Sequence, residues 1–271
     1  AHSFVALALS GLGRSAEALA AYERALTLDP LNAVFHELRI NELVRLRRVE
    51  AFEAASAKWR EMQPQLSPSV FYHSRFQLYG EIPEKLESHI WFWRARRFEE
   101  LIVQIDEALA LPNQADRIEF DRLEMKFMAL SRLGRAGGPE ARAVAQEMAR
   151  IASELRDEEG VVFANDSERI AKAKAHNGDV EGAVAILRRA IAAAIAARRP
   201  TTLNYHRRVL AAILAEAGRA KECVELLAQV LAHGSSVISV PALRIDPQWD
   251  RVRDDPAFKA LLANPKFSAP L

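Results

Sequence analysis

Seven histidines are the side chains of this 271-residue chain that first suggest metal or acid–base chemistry. They are His2, His36, His73, His89, His176, His206 and His233. None stands in a His-Glu-x-x-His zinc pattern, and no Gly-x-Ser-x-Gly nucleophile motif occurs. The glycine-dense segment Gly134–Gly138 lacks the Lys-Ser/Thr pair that a phosphate loop needs. These patterns predict no catalytic residue, no cofactor and no histidine-bound metal.

Four aspartates lie close together near the end of the sequence, at Asp246, Asp250, Asp254 and Asp255. A calcium loop needs acidic ligands at alternate positions around a central glycine, and this segment has neither feature. Asp246 and Asp255 each precede a proline, which is typical of an N-cap followed by the first helical residue. We therefore expect two helix starts here and no metal site.

The charges nearly cancel, with 37 Lys and Arg against 36 Asp and Glu. Nucleic-acid-binding proteins usually carry a marked basic excess, so this balance argues against a nucleic-acid partner. The apolar segment Ala190–Ala197 is far shorter than the ~20 residues of a membrane span. No signal peptide is visible, and a single cysteine is compatible with a reducing compartment, so we expect a cytoplasmic protein. The chain opens Ala-His-Ser without a methionine, and we interpret it as a piece of a longer protein.

A helical pattern with turn residues at both ends recurs along the chain. Its first copy has Gly13, then the small or aromatic residues Ala18, Tyr22 and Ala25, and closes at Pro30. Related segments open at Arg47, Arg96, Gly134, Gly178 and Gly218. Cys223 lies five residues after the last of these, where Ala18 lies in the first copy, which predicts a buried packing residue.

This pattern resembles the second helix of the tetratricopeptide repeat (TPR), whose glycine, alanine, aromatic, alanine and proline positions all match in the first copy. The resemblance implies an all-α fold, a right-handed superhelical array of antiparallel helix pairs over residues 1–271. The repeats are expected at 1–32, 33–66, 82–113, 120–153, 164–198 and 204–234, with an extra helix at 69–80.

The tail resembles the ends of TPR regions in bacterial winged-helix transcription regulators, class III adenylate cyclases and Ser/Thr kinases. The matching segments are Leu243–Asp250 and Asp254–Leu262. Open-ended repeat arrays need a terminal unit over their last apolar face, so we expect a cap at 235–271. At the other end, Phe4, Leu7 and Leu9 are expected to leave an apolar face uncovered.

In the TPR family a partner peptide binds to the first helices of the repeats, which line a groove. Carried onto this sequence, the resemblance gives a candidate groove in five repeats. Its residues are Glu37, Asn41, Arg45, Ile90, Trp93, Arg94, Glu124, Met128, Arg132, Glu168, Lys172, His176, Tyr205 and Arg208. The alternative for each charged residue is ion pairing on a solvated helix face. Glu37 stands where chaperone-binding TPR domains have a lysine, which argues against a carboxylate clamp.

The sequence thus favours a non-catalytic module that binds a protein or peptide, as the interaction or sensing region of a larger bacterial regulator. One alternative is a self-association scaffold, a homo-oligomer formed through Phe71, Tyr72, Phe76 and Tyr79 of the extra helix. A second alternative is an enzyme with a non-standard site on the array.

Overall fold

The structure, a computed structural model, describes residues 2–62, 69–82, 88–112, 115–155 and 164–271, which form helices joined by turns and loops. The helices through residue 109 are α1 (His2–Gly11), α2 (Ser15–Leu28), α3 (Ala33–Arg45), α4 (Val49–Met62), α5 (Ser69–Tyr79), α6 (His89–Arg94) and α7 (Phe98–Leu109). They continue as α8 (Asp116–Arg132), α9 (Pro139–Glu154), α10 (Ala164–His176), α11 (Val180–Ala196), α12 (Pro200–Glu216), α13 (Ala220–Ala232), α14 (Val240–Ile245) and α15 (Pro256–Ala263). Short 3-10 helices occupy Pro247–Trp249 and Pro265–Phe267. Within these ranges there is no strand, so the all-helical prediction is confirmed. Helices that are neighbours in sequence pack against each other from α1 to α4, from α6 to α10, and between α12 and α13.

The turns between paired helices share one backbone conformation. Gly13, Gly134, Gly178 and Gly218 all have φ between 72° and 90°, the left-handed region that glycine adopts at little cost. In the two copies that lack glycine, Arg47 and Arg96 adopt the same region with φ of 55° and 59°. The amide after each turn residue bonds back five residues, as Arg14 N does to Leu9 O at 2.9 Å and Arg48 N to Leu43 O at 3.0 Å. This hydrogen-bond pattern closes the helix end whichever residue occupies the turn.

The position five residues after each turn is buried in every copy, counting a two-residue insertion in the fourth. Its occupants are Ala18, Phe52, Leu101, Ala141, Ala183 and Cys223, all 0% exposed. Four of these residues are small and two, Phe52 and Leu101, are large, so the copies must differ in how closely their helices approach. Pro64, which lies 34 residues after Pro30, and Pro83, which follows the extra helix, lie outside the described residues.

The chain divides into two compact units, and the first is discontinuous in sequence. Unit 1 comprises Ala1–Ile82 and Ala193–Leu271. In it α5 packs against α3 and α14, α1 contacts α12, and α13 contacts α15. Its helix α1 leaves Phe4 and Leu7 exposed as predicted, whereas Leu9 is partly buried against a cluster with Ala6 and Tyr22. The expected uncovered face is therefore narrower than the sequence suggested.

Unit 2 is the continuous segment Pro83–Ala192. Its core lies between α6, α7, α8 and α9, with α10 added against α8 and α9. Phe120, Leu101, Ile105 and Met148 are fully buried there. The same 3.6-residue periodicity that predicted these helices places those side chains on their inner faces.

Both Asp-Pro segments of the tail start helices, as predicted. Asp246 accepts from Gln248 N at 3.0 Å, and Asp255 accepts from Ala257 N at 2.8 Å. A third start of the same type, unrecognised in the sequence, is Asn264 before Pro265. Each side-chain oxygen satisfies an amide that the first turn leaves without a helical partner.

Candidate functional site

Unit 1 contains an open pocket of about 340 Å³ bounded by α3, α5 and the loop that precedes α14. Its lining residues are Glu37, Ile40, Asn41, His73, Ser74, Ser236 and Val237. Ligand pockets in proteins usually have volumes from about 300 Å³ upwards. Two of the candidate groove residues, Glu37 and Asn41, are therefore part of one concave site.

Helix α3 forms the first wall of the pocket. The helix begins after Asn32, whose Oδ1 accepts from Phe35 N at 3.1 Å. Residues four apart share a helix face, so Glu37 and Asn41 point the same way. Ile40 is buried, which anchors the helix to the core of unit 1 and leaves its polar neighbours at the pocket.

The opposite wall is a contact between α5 and the 235–239 loop. His73 Nε2 lies 2.8 Å from the carbonyl oxygen of Ser236, and Gln77 Nε2 donates to Val237 O at 3.1 Å. Ser239 Oγ donates in turn to the carbonyl of Gln77. Because a carbonyl only accepts, the Ser236 contact requires a proton on Nε2 of His73. These bonds fix segments that are about 160 residues apart in sequence.

Among the described residues that line the pocket, Glu37 is the only carboxylate and none is Lys or Arg. Within the part of the chain that the structure describes, neither the Glu37 carboxylate nor the Asn41 amide has a hydrogen-bond or ion-pair partner. The buried Ile40 and the half-exposed Val237 add apolar surface. The pocket thus offers acceptors and a negative charge beside a short apolar wall.

The other candidate residues of unit 1 lie elsewhere. Arg45 Nη1 bonds to Glu42 Oε1 at 3.1 Å and to Ser10 Oγ at 3.2 Å, so its side chain joins α3 to α1. Glu42 itself is buried and accepts from Ser10 Oγ at 2.5 Å. On α12, the Arg208 guanidinium lies over the ring of Tyr205, 5.0 Å from its centroid, and that tyrosine is 38% exposed. Arg45 therefore has polar partners within unit 1 and is not among the described residues that line the pocket.

In unit 2 the charges of α8 pair with those of α10. The pairs are Arg117–Asp166 at 2.7 Å, Asp121–Arg169 at 2.8 Å and Glu124–Lys172 at 2.8 Å. These three pairs join two helices, and Asp166 also pairs with Arg169 along its own helix at 3.5 Å. Two candidate groove residues, Glu124 and Lys172, neutralise each other in this way.

Asp166 is the buried member of these pairs, at 1% exposure. Arg117 binds both of its carboxylate oxygens, Nε to Oδ1 at 3.0 Å and Nη2 to Oδ2 at 2.7 Å. The hydrogen bonds from Arg117 lower the pKa of Asp166 despite the opposing effect of its burial, and the charge of Arg169 adds to this. Asp166 therefore stays ionised and joins α8 to α10.

The remaining candidate residues of unit 2 are divided between core and surface. Trp93 is 8% exposed, packs on Phe98 and carries the Arg132 guanidinium over its ring at 5.7 Å. His176 packs against Phe127 with ring centroids 4.2 Å apart. Glu168 is buried, Met128 packs against the core, Arg94 is half-buried, and Ile90 is 53% exposed. The aromatic candidates Trp93 and His176 are thus engaged in packing contacts within unit 2.

Sequence reasoning missed most of the pocket. His73 was noted only as one of seven scattered histidines, and Ser74, Ser236 and Val237 were not singled out. Helical spacing within α3 identified Glu37 and Asn41, but no local pattern connects α5 to a loop about 160 residues later.

Two of the four aromatic residues proposed for self-association make contacts within unit 1. Phe76 is buried, and Tyr79 donates its hydroxyl to Glu53 Oε1 at 2.7 Å. Burial and the Glu53 carboxylate raise the pKa of Tyr79 to about 12. The side chains of Phe71 and Tyr72 lie outside what the structure describes.

The groups suited to metal or nucleophilic chemistry are engaged in other contacts. Among the described residues no three His, Cys, Asp or Glu side chains group as metal ligands. In the tail, Asp250 pairs with Arg253 at 2.8 Å and Asp254 with Lys259 at 3.0 Å. Cys223 is fully buried as predicted, and burial raises the pKa of its thiol to about 12. A thiol in that state has almost no nucleophilic thiolate near neutral pH.

In sequence comparison the chain matches no protein-family model and no curated protein. None of the helices in the described ranges is long and apolar enough to cross a membrane.

Proposed function

We propose that this chain is a non-catalytic, TPR-like module that binds a peptide segment of a partner protein. Its support is the recurrence of one left-handed turn and one buried position along consecutively packed helices. Repeat arrays built in this way present first-helix side chains as binding surfaces. The superhelical arrangement of the pairs belongs to the same proposal.

One observation carries the binding role. Glu37 and Asn41 lie on α3, the helix where the TPR resemblance expects ligand contacts, and both line the pocket of unit 1. Arg45, Glu124 and Lys172 have intramolecular partners, whereas Glu37 and Asn41 have none among the described residues. Polar groups that face a cavity and lack a partner are suited to bind an external ligand.

The tail suggests where such a module works. Its resemblance to TPR regions in bacterial regulators supports a role as the interaction or sensing region of a larger regulatory protein.

A random twelve-residue peptide library displayed on phage tests the binding role directly. We expect the protein to enrich a defined peptide class, with Kd in the micromolar range measured by fluorescence anisotropy. The variant Asn41→Trp fills the pocket and is expected to weaken binding by about tenfold or more, since it excludes the ligand from its site. Glu50→Trp, an exposed substitution on α4, is the matched control and should bind normally. Equal binding by both variants would place the peptide elsewhere, and no enrichment at all would exclude this function.

A further inference from the structure

We infer that the pocket of unit 1 receives a lysine or arginine side chain of the partner peptide, with Glu37 as its counter-ion. This inference rests on the proposed peptide-binding function and names the residue type that the pocket selects.

The charge of the residues that line the pocket determines which ligand charge the pocket favours. Of the lining residues that the structure describes, Glu37 is the only carboxylate and none is Lys or Arg. Glu37 also has no ion-pair partner in the described part of the chain. An anionic ligand would meet that carboxylate without compensation, while a cationic ligand gains a charge-assisted hydrogen bond. The pocket therefore discriminates in favour of a cation.

The polar groups around Glu37 extend this preference. The Asn41 side chain offers an amide oxygen, and Ser236 offers a hydroxyl. An ammonium has three donors and a guanidinium five, and neither has an acceptor. A ligand head group that only donates hydrogen bonds therefore suits a pocket whose lining residues supply several hydrogen-bond acceptors.

The apolar part of the lining fits the stem of the same side chains. Ile40 and Val237 line the pocket together with these polar groups. Lysine and arginine bury a chain of three or four methylenes against apolar surface while their charged end meets polar partners. A volume of about 340 Å³ holds one such side chain together with water.

The test uses small probes in place of a partner. Nα-acetyl-lysine methylamide and Nα-acetyl-arginine methylamide are titrated into the full chain and followed by ¹H–¹⁵N NMR shifts. We expect saturable shifts at Asn41, Ser74 and Ser236 with Kd on the order of millimolar, as for a single side chain. Nα-acetyl-glutamate methylamide should cause none. Glu37→Gln keeps the shape, removes the charge and should weaken binding of the cationic probes by about tenfold.

Glu50→Gln, an exposed acid outside the pocket on α4, is the control and should bind like the original chain. Equal binding of the acetyl-lysine probe by Glu37→Gln, or equal binding of the glutamate probe, overturns the inference. If library peptides bind but are rich in acidic residues and indifferent to Glu37→Gln, the peptide-binding function stands and this inference falls. If the cationic probes bind through Glu37 and no library peptide is enriched, the ligand chemistry is supported and the peptide-binding function falls.

Discussion

Arg47 Nη1 donates a hydrogen bond to the carbonyl oxygen of Ala269 at 2.9 Å, across 222 residues of sequence. Nη2 of the same guanidinium donates to the carbonyl of Leu231, and Leu271 N donates to Leu46 O at 3.1 Å. The left-handed turn between α3 and α4 thus holds the C-terminal residues of unit 1. The side chain at this turn stabilises tertiary structure while its backbone is strained.

These two roles of Arg47 can be separated by comparison with Arg198, which has a similar φ of 52° but an exposed side chain. Arg198→Gly relieves the left-handed strain alone and should raise the free energy of unfolding by up to about 1 kcal/mol. Arg47→Gly gains the same relief but loses hydrogen bonds from a charged donor, so we expect a net loss of about 1 to 2 kcal/mol. Urea unfolding followed by circular dichroism measures both. Stabilisation by both substitutions would show that the Arg47 contacts contribute nothing.

Gly234 should tolerate a side chain less well than Gly218, although both have φ near 74°. A Cβ at Gly234 would lie 2.7 Å from the carbonyl oxygen of Arg45 and from Leu271 Cδ1, whereas a Cβ at Gly218 meets open space. Gly218→Ala is expected to cost about 1 kcal/mol of unfolding free energy, from backbone strain alone. Gly234→Ala adds overpacking and should cost about 2 to 4 kcal/mol. Equal losses in thermal unfolding would contradict the close contact at Gly234.

Acidification should destabilise unit 2 through Asp166. Its pKa is lower in the folded chain than the ordinary carboxyl value, so the unfolded chain takes up the proton first as the pH falls. The stabilisation is complete above about pH 5 and is lost as the pH drops below ~3.9, the unfolded value. Asp166→Asn should lower the unfolding free energy at pH 7 by about 1 to 3 kcal/mol and flatten its dependence below pH 5.

Asp121→Asn is the matched control for Asp166, because Asp121 also pairs with Arg169 but its side chain is 54% exposed. We expect a change of less than about 1 kcal/mol for this substitution. Urea unfolding between pH 3 and pH 7 compares the two variants. A pH dependence unchanged by Asp166→Asn would assign the acid sensitivity to other carboxylates.

Cys223 should report the opening of unit 1. Its thiol is fully buried and its pKa is raised to about 12, so at pH 8 it should react with a disulfide reagent about a thousandfold more slowly than an unfolded thiol. Reaction then follows transient opening of the helices around α13. Cys223→Ala should change the unfolding free energy by only about 1 kcal/mol, because alanine occupies the same position at Ala18 and Ala183. Rapid labelling of the native chain would contradict the burial of this thiol.

The repeating features of the fold were predictable because they depend on local spacing. Gly13 and Gly218 mark turns through their own backbone freedom, and Ala18 and Cys223 are buried because helical periodicity places them inward. Arg47 was placed at a turn by its distance from Gly13 alone, and there the i−5 hydrogen bond maintains a conformation that arginine does not favour.

The pairing of distant segments was not predictable in this way. Asp166 meets Arg117 through the packing of α10 on α8, whereas spacing along α10 indicates only its i,i+3 pair with Arg169. Helical spacing likewise brought Glu37 beside Asn41 but gave no sign of the 235–239 loop that completes their pocket. Contacts between helices depend on which faces meet, and a single sequence contains no signal for that choice.

The discontinuity of unit 1 bears on how the protein is made. A ribosome releases α1–α5 long before α12–α15 exist, while the whole of unit 2 is synthesised in between. Helices α1–α5 therefore keep part of their inner surface exposed until residues 193–271 emerge from the ribosome. One wall of the pocket beside Glu37 comes from Ser236 and Val237, so a translation product that stops short of them has no complete pocket. The ability to bind a ligand at Glu37 is thereby restricted to chains whose synthesis has passed that point.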